Sequence, residues 1–170
     1  ASRVHVLVDE PGLPVSIIGG KLTTYRRMAQ DTVDAVCRRL TIPRPCRTAS
    51  LALVGGADPV TLRRVPAPAR LVRRYGTEAP QVAALADRFG AWLADPVAPG
   101  CPTLGVELLH GVLAEGAITA DDLLTRRTRV SMVDADLVRA TPVAERVLEL
   151  AATIPTRPAR GAGPRHTVGA

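Results

Sequence analysis

Aromatic residues make up only 2% of this 170-residue chain, with one Trp, one Phe and two Tyr. That scarcity argues against a surface that stacks on nucleobases, and it leaves the core to Leu, Val, Ile and Ala, which suit close-packed helices. Lysine is rarer still: Lys21 is the single one among 22 basic residues. Cys37, Cys46 and Cys101 are odd in number and form no Cys-x-x-Cys pair. This excludes a disulfide framework or a zinc site and fits a reducing compartment. His5, His110 and His166 are equally scattered, so no metal is expected, and a lone helical histidine such as His110 reads as structural. No run reaches the roughly 18 apolar residues of a membrane span, and the N-terminus lacks a signal-peptide layout. Nor is there a Gly-x-Gly-x-x-Gly turn, the cradle for a dinucleotide pyrophosphate.

What is present is 46% hydrophobic residues, enough for a core at this length, and a net charge of +6 with an isoelectric point near 10.2. Such a charge ordinarily raises nucleic acid or an anionic membrane as partners. Here the arginines are spread over every segment alongside abundant Ala, Val and Pro. A compositional bias accounts for the excess, and no nucleic-acid partner is expected.

The organising stretch runs from Val15 to about Leu40 and reads strand, turn, helix. Ser16, Ile17 and Ile18 have the β-branched character of a buried strand, Gly19-Gly20 frees the backbone for a sharp turn, and Thr23 or Thr24 can cap the helix behind it. Leu22, Tyr25, Ala29, Thr32, Val33, Val36 and Leu40 recur on one helical face, and Asp34 precedes Arg38 by one turn in the favourable order. A helix starting directly after a glycine turn presents unpaired N–H groups and a positive dipole end. Lys21 adds a full charge there. The alternative is a solvated lysine beside a tight turn.

Gly19-Gly20-Lys21-Leu22-Thr23-Thr24-Tyr25-Arg26, followed by Arg27-Met28-Ala29, resembles the C-terminal flavin-site motif of the FAD-dependent glycerol-3-phosphate dehydrogenases, the respiratory kind that passes electrons to quinone. A second block, Val106 to Arg129, resembles the helical C-terminal domain of the same family, and the resemblance covers about residues 1–150. It implies FAD as cofactor, glycerol 3-phosphate as substrate, dihydroxyacetone phosphate as product and quinone as electron acceptor. Gly19, Gly20, Lys21, Leu22, Thr23 and Thr24 would bind the cofactor, with Lys21 also catalytic. Thr23 and Thr24 would supply a hydroxyl and an amide, while Tyr25 and Arg26 brace the helix. The motif is shared between quinone-linked dehydrogenases and oxygen-using oxidases, so that choice stays open. So do a homodimer and peripheral contact with the inner face of the cell membrane by an otherwise cytoplasmic protein.

In chain order, residues 4–9 and the turn around Pro11-Gly12 predict a hairpin whose second strand feeds Gly19-Gly20. Two strands and a helix are too little for an independent sheet domain. Residues 1–40 therefore read as the last piece of an α/β FAD-binding domain lying upstream, where the proton-accepting base and the phosphate-gripping arginines are also expected, and the 170 residues alone are expected to be inactive. Residues 41–58 form a linker with Pro43, Pro45 and Gly55-Gly56. Residues 59–153 form a small orthogonal helical bundle, so the fold class is mainly α. Its helices are expected near 59–64, 67–75, 78–93, 102–115, 120–126 and 134–153. Thr77 and Thr119 are candidate caps, the latter boxed with Asp122, and Pro102 is a candidate first-turn residue. Leu104, Leu108, Val112 and Ala117 form the stripe of a helix buried between others. The arginines at 126, 127 and 129 complement a helix C-terminus, and 154–170 is a disordered tail. The competing reading is a non-catalytic helical interaction or oligomerisation module with a degenerate flavin motif.

Overall fold

The computed structural model describes residues 4–42 and 44–155. The disordered tail expected from 154 therefore lies, from 156 onward, outside the described residues. The chain is mainly α, and it divides into two compact units, one ending at Leu53 and the other beginning at Val54.

In the first unit, β1 (His5–Val8) and β2 (Ser16–Gly19) pair antiparallel, with His5 opposite Gly19, Val6 opposite Ile18 and Leu7 opposite Ile17. Alternation places His5, Leu7 and Ile17 on one face and Val6 and Ile18 on the other. A 3-10 turn at Leu22–Thr24 leads into α1 (Tyr25–Arg39). Arg39, at the far end of α1, clamps the hairpin loop by donating to the Asp9 carboxylate and to the Glu10 and Leu13 carbonyls. The expected Asp34 and Arg38 pair is not made among the described residues. Asp31 accepts from Arg27 instead, at 3.0 Å.

The face of α1 expected to be buried is open. Tyr25, Val33 and Leu40 are 61%, 57% and 62% exposed, and Val6 and Ile18 on the hairpin are 58% and 62% exposed. The same residues that share an apolar helical face thus face solvent, because nothing among the described residues of this unit forms a second layer over them. Periodicity reports which residues avoid water, not whether their cover is present.

The second unit has its own core. α2 (Pro59–Arg63) is capped by Asp58, whose carboxylate accepts from the Val60 and Thr61 N–H groups at 2.8 and 3.1 Å. α3 (Ala69–Tyr75), α4 (Ala79–Phe89), α5 (Gly105–Leu113) and α6 (Asp134–Thr153) follow, with a π-helical turn at Asp122–Arg127. Leu71, Leu93, Leu108, Leu109, Leu123 and Leu124 are fully buried between them.

Several local expectations are corrected. The helix expected over 78–93 ends at Phe89, the chain turns at Gly90 with φ 132°, and Ala91–Ala94 is a separate 3-10 turn. Thr77 lies within a 3-10 turn, and α4 has no side-chain cap. Pro102 precedes α5 instead of starting it, and Ala117 lies beyond its end. Arg126 and Arg127 do stand in the last turn of the π-helical segment, and Arg126 also pairs with Asp121 and, at 2.7 Å, with Asp122. The box between Thr119 and Asp122 does form, with reciprocal bonds of 3.0 and 3.1 Å. The Ile118 N–H and the Thr119 side chain hold the Asp122 carboxyl down to about 2.

A polar centre ties α3 to α5. Glu107 is fully buried, and it also accepts the Leu104 N–H that opens its own helix, at 2.9 Å. Arg70 grips both its oxygens at 2.6 and 3.1 Å and donates to Thr103 at 3.0 Å, while the Arg74 Nε lies 3.3 Å away. Next to it, half-buried His110 meets Tyr75 edge-on, with ring centroids 4.9 Å apart. Burial pulls the His110 imidazole below its ordinary range and pushes the Tyr75 hydroxyl up to about 12. At the start of the unit, the Gly55 carbonyl accepts from Thr77 N–H at 3.0 Å. A Cβ on Gly76 would lie 1.8 Å from that oxygen, so the contact needs two bare glycines.

Glu107→Ala leaves two arginines beside an emptied buried site and is expected to destabilise the helical unit by about 3 kcal/mol. Calorimetric or denaturant unfolding checks this, and a loss near zero would contradict it. The His110 imidazole is depressed in the fold, so as pH falls through the ordinary 6.5 the unfolded chain takes up its proton first. Stability from this site is complete above that value and falls below it. Unfolding midpoints at pH 7.5 and 5.5 should therefore differ more for the native protein than for His110→Asn.

Candidate functional site

Two consecutive residues of positive φ, Gly19 at 79° and Gly20 at 82°, reverse the chain between β2 and the 3-10 turn. L side chains rarely adopt that conformation, and space is short as well. A Cβ on Gly20 would stand 2.6 Å from Met28 Sδ and 3.2 Å from His5 Cβ, and one on Gly19 would stand 3.2 Å from the Val4 carbonyl. The turn is packed from behind by α1 and β1.

Lys21 follows in extended conformation, φ −131° and ψ 152°. Its side chain is exposed, and no carboxylate among the described residues lies within ion-pair distance. Leu22 is 88% exposed. Thr24 does not cap α1 forwards. Its hydroxyl turns back, accepting from the Lys21 N–H at 3.2 Å and donating to the Lys21 carbonyl at 2.9 Å. Thr23 is exposed beside it. The α-helix proper thus starts at Tyr25, three residues later than a helix opening at Leu22 would, with the 3-10 turn between. Tyr25 is mostly exposed, whereas Arg26 reaches Gln30 at 2.9 Å and Thr48 at 3.1 Å.

Gly19, Gly20, Lys21 and Leu22 line an open groove of about 690 Å³ together with Tyr25, Met28, Ala29 and Val33 of α1, whereas Thr23 and Thr24 lie outside its lining. It combines an apolar floor, close-approach backbone and one cation, a donor set that fits a flat, partly anionic ring system. His5, which stands isolated in the sequence, closes the back of the turn: its Nε2 lies 2.8 Å from Asp31 Oδ2, while Arg27 holds Oδ1. The His5 hydrogen bond, helped by the Arg27 charge, keeps the Asp31 carboxyl below the usual range. Counting the hairpin register back from Gly19 to His5 is the signal that could have found this residue. A second groove, also about 690 Å³, runs between α1 and the segment 44–53, with Cys37 and Cys46 on its walls. Among the described residues no three His, Cys, Asp or Glu side chains gather as metal ligands.

Residues 46–154 match the family described as the C-terminal domain of alpha-glycerophosphate oxidase. The chain belongs to that family. Among curated proteins, this member of the alpha-glycerophosphate oxidase C-terminal family is 38% identical over 151 residues to a protein named glycerol-3-phosphate dehydrogenase 1 from Mycobacterium tuberculosis, covering 86% of this chain and 29% of that one. It is 36% identical over 168 residues to the mitochondrial glycerol-3-phosphate dehydrogenase of Mesocricetus auratus, covering 88% and 22%. Over 106 residues it is 49% identical to a subunit of the anaerobic glycerol-3-phosphate dehydrogenase of Escherichia coli, covering 55% and 18%. The chain thus spans less than a third of the length of these relatives. No solved structure matches it.

Gly20→Ala is expected to strain the turn by roughly 1–2 kcal/mol and to speed amide exchange over residues 16–24 while leaving the helical unit unchanged. Exchange rates equal to those of the native protein would contradict the close packing behind Gly20.

Proposed function

We propose that this chain is the C-terminal part of a flavoenzyme that oxidises sn-glycerol 3-phosphate to dihydroxyacetone phosphate, with electrons leaving through FAD to quinone. The observation that carries the reading is the Gly19-Gly20-Lys21 turn opening onto a groove, in a chain whose relatives are named glycerol-3-phosphate dehydrogenases. FAD, when bound, supplies the acceptor for the hydride leaving the secondary alcohol carbon.

This chain's own contribution is electrostatic and steric. The Gly19-Gly20 reversal sets the direction of the chain at the groove, and the Leu22 and Thr23 N–H groups that open the 3-10 turn face the edge that gains negative charge. Lys21 adds a cation, placing it at the reacting centre. Leu22 and Thr23 offer an apolar contact and a hydroxyl. Thr24, whose hydroxyl is engaged with both backbone groups of Lys21, serves by holding Lys21 in its extended conformation.

The exposed apolar faces of α1 and the hairpin favour a larger FAD-binding domain upstream as their cover. That part would supply the dinucleotide-binding turn, the base for the hydroxyl proton and the arginines for the phosphate, and the 170 residues alone would be inactive. The site of action is the cytoplasm or the inner face of the cell membrane. Contact with that face is proposed to be peripheral; no described helix is long and apolar enough to cross a membrane.

Lys21→Ala in the complete enzyme is expected to lower turnover with glycerol 3-phosphate at least tenfold, roughly 1.4 kcal/mol of barrier. An unchanged turnover number would remove Lys21 from the reaction. Absence of flavin from the complete native protein would favour the non-catalytic helical module instead.

A further inference from the structure

The link between β1 and α1 behind the glycine turn has a consequence for the turn's ligand. We propose that His5 and Asp31 are positioning residues that set where the Gly19-Gly20 turn and Lys21 stand relative to the flavin, through the hydrogen bond that joins β1 to α1. The proposal rests on the flavoenzyme reading above.

The turn is a connection between two elements, β2 and α1, so the position of its atoms follows from the angle between the hairpin and the helix. That angle is held at both ends. At the loop end Arg39 grips Asp9 and the carbonyls of Glu10 and Leu13. At the turn end His5, register partner of Gly19, reaches Asp31 at 2.8 Å. The Asp31 carboxylate cannot swing away from His5 freely, because Arg27 holds its other oxygen at 3.0 Å. Both side chains are shielded, with 20% and 26% of their surface exposed, so water competes weakly for the bond. His5 also packs behind Gly20: a Cβ there would stand 3.2 Å from the His5 Cβ, beside the nearer Met28 Sδ at 2.6 Å. One residue thereby both abuts the turn and ties it to the helix whose dipole the turn presents.

Losing this tie lets the hairpin rock and moves the N–H donors and Lys21 off the flavin edge. The effect is greatest on the reduced cofactor, which carries the charge those groups face. The two forms of the cofactor should thus separate in affinity by about tenfold, which for a two-electron couple lowers the midpoint potential by about 30 mV.

The test is the midpoint potential of the flavin in the complete native enzyme and in three variants. His5→Phe keeps bulk behind Gly20 without the bond to Asp31, and His5→Gln keeps a donor. The expected result is a negative shift of about 30 mV for His5→Phe and a near-native value for His5→Gln. Native values in both, or equal shifts in both, would overturn the proposal while leaving the flavoenzyme reading intact. Should His5→Phe lose its flavin, Asp31→Asn decides, since it keeps the side chain's shape and weakens the acceptor: a negative shift supports the tie and an unchanged potential overturns it. A complete native protein without flavin would overturn the underlying reading and this proposal together.

Discussion

Two successive residues held near φ +80° at Gly19 and Gly20 are the constraint on which the first unit depends. The reversal there directs the chain from β2 into α1 within a few residues, and it brings Gly19 against the Val4 carbonyl and Gly20 against Met28 and His5 so closely that neither position tolerates a Cβ without displacement. Beside this turn lie the open groove, the extended Lys21 and the Thr24 hydroxyl folded back onto it. The bare backbone therefore serves close packing against α1 and β1.

In the helical unit the corresponding constraint is a buried charge. Glu107 has no access to solvent, and its two oxygens are satisfied by Arg70, Arg74 and the Leu104 N–H. Taking a carboxylate out of water is costly unless its partners are fixed, and fixing them requires α3 and the segment before α5 to be held in one arrangement. The leucine core supplies the driving force for helix packing, and the Glu107 cluster specifies which packing.

Much of the fold was legible because it rests on local chemistry. The positions of β2 and α1, the span of α6 and the Thr119 and Asp122 box follow from glycines, caps and a 3.6-residue period. The illegible part depends on distance in sequence or on what covers a face. The pairs His5 with Asp31 and Arg70 with Glu107 join residues 26 and 37 positions apart, which no local pattern encodes. Pro102 looked like a helix start, but Glu107 holds the Leu104 N–H and opens α5 at Gly105 instead. The apolar face of α1 follows its period, yet it is exposed among the described residues, since burial depends on what lies across it. At the candidate site the residue types around Gly19, Gly20 and Lys21 were readable, whereas the turning back of the Thr24 hydroxyl onto Lys21 depends on the 3-10 geometry of residues 22–24, which no residue type dictates.

Whether this turn faces FAD within a longer enzyme is decided most directly by the mass of the intact polypeptide isolated from its source, by native mass spectrometry, together with the mass of any bound cofactor. A polypeptide several times heavier than 17.9 kDa that carries one FAD is the expected result. A flavin-free polypeptide of about that smaller mass would contradict it.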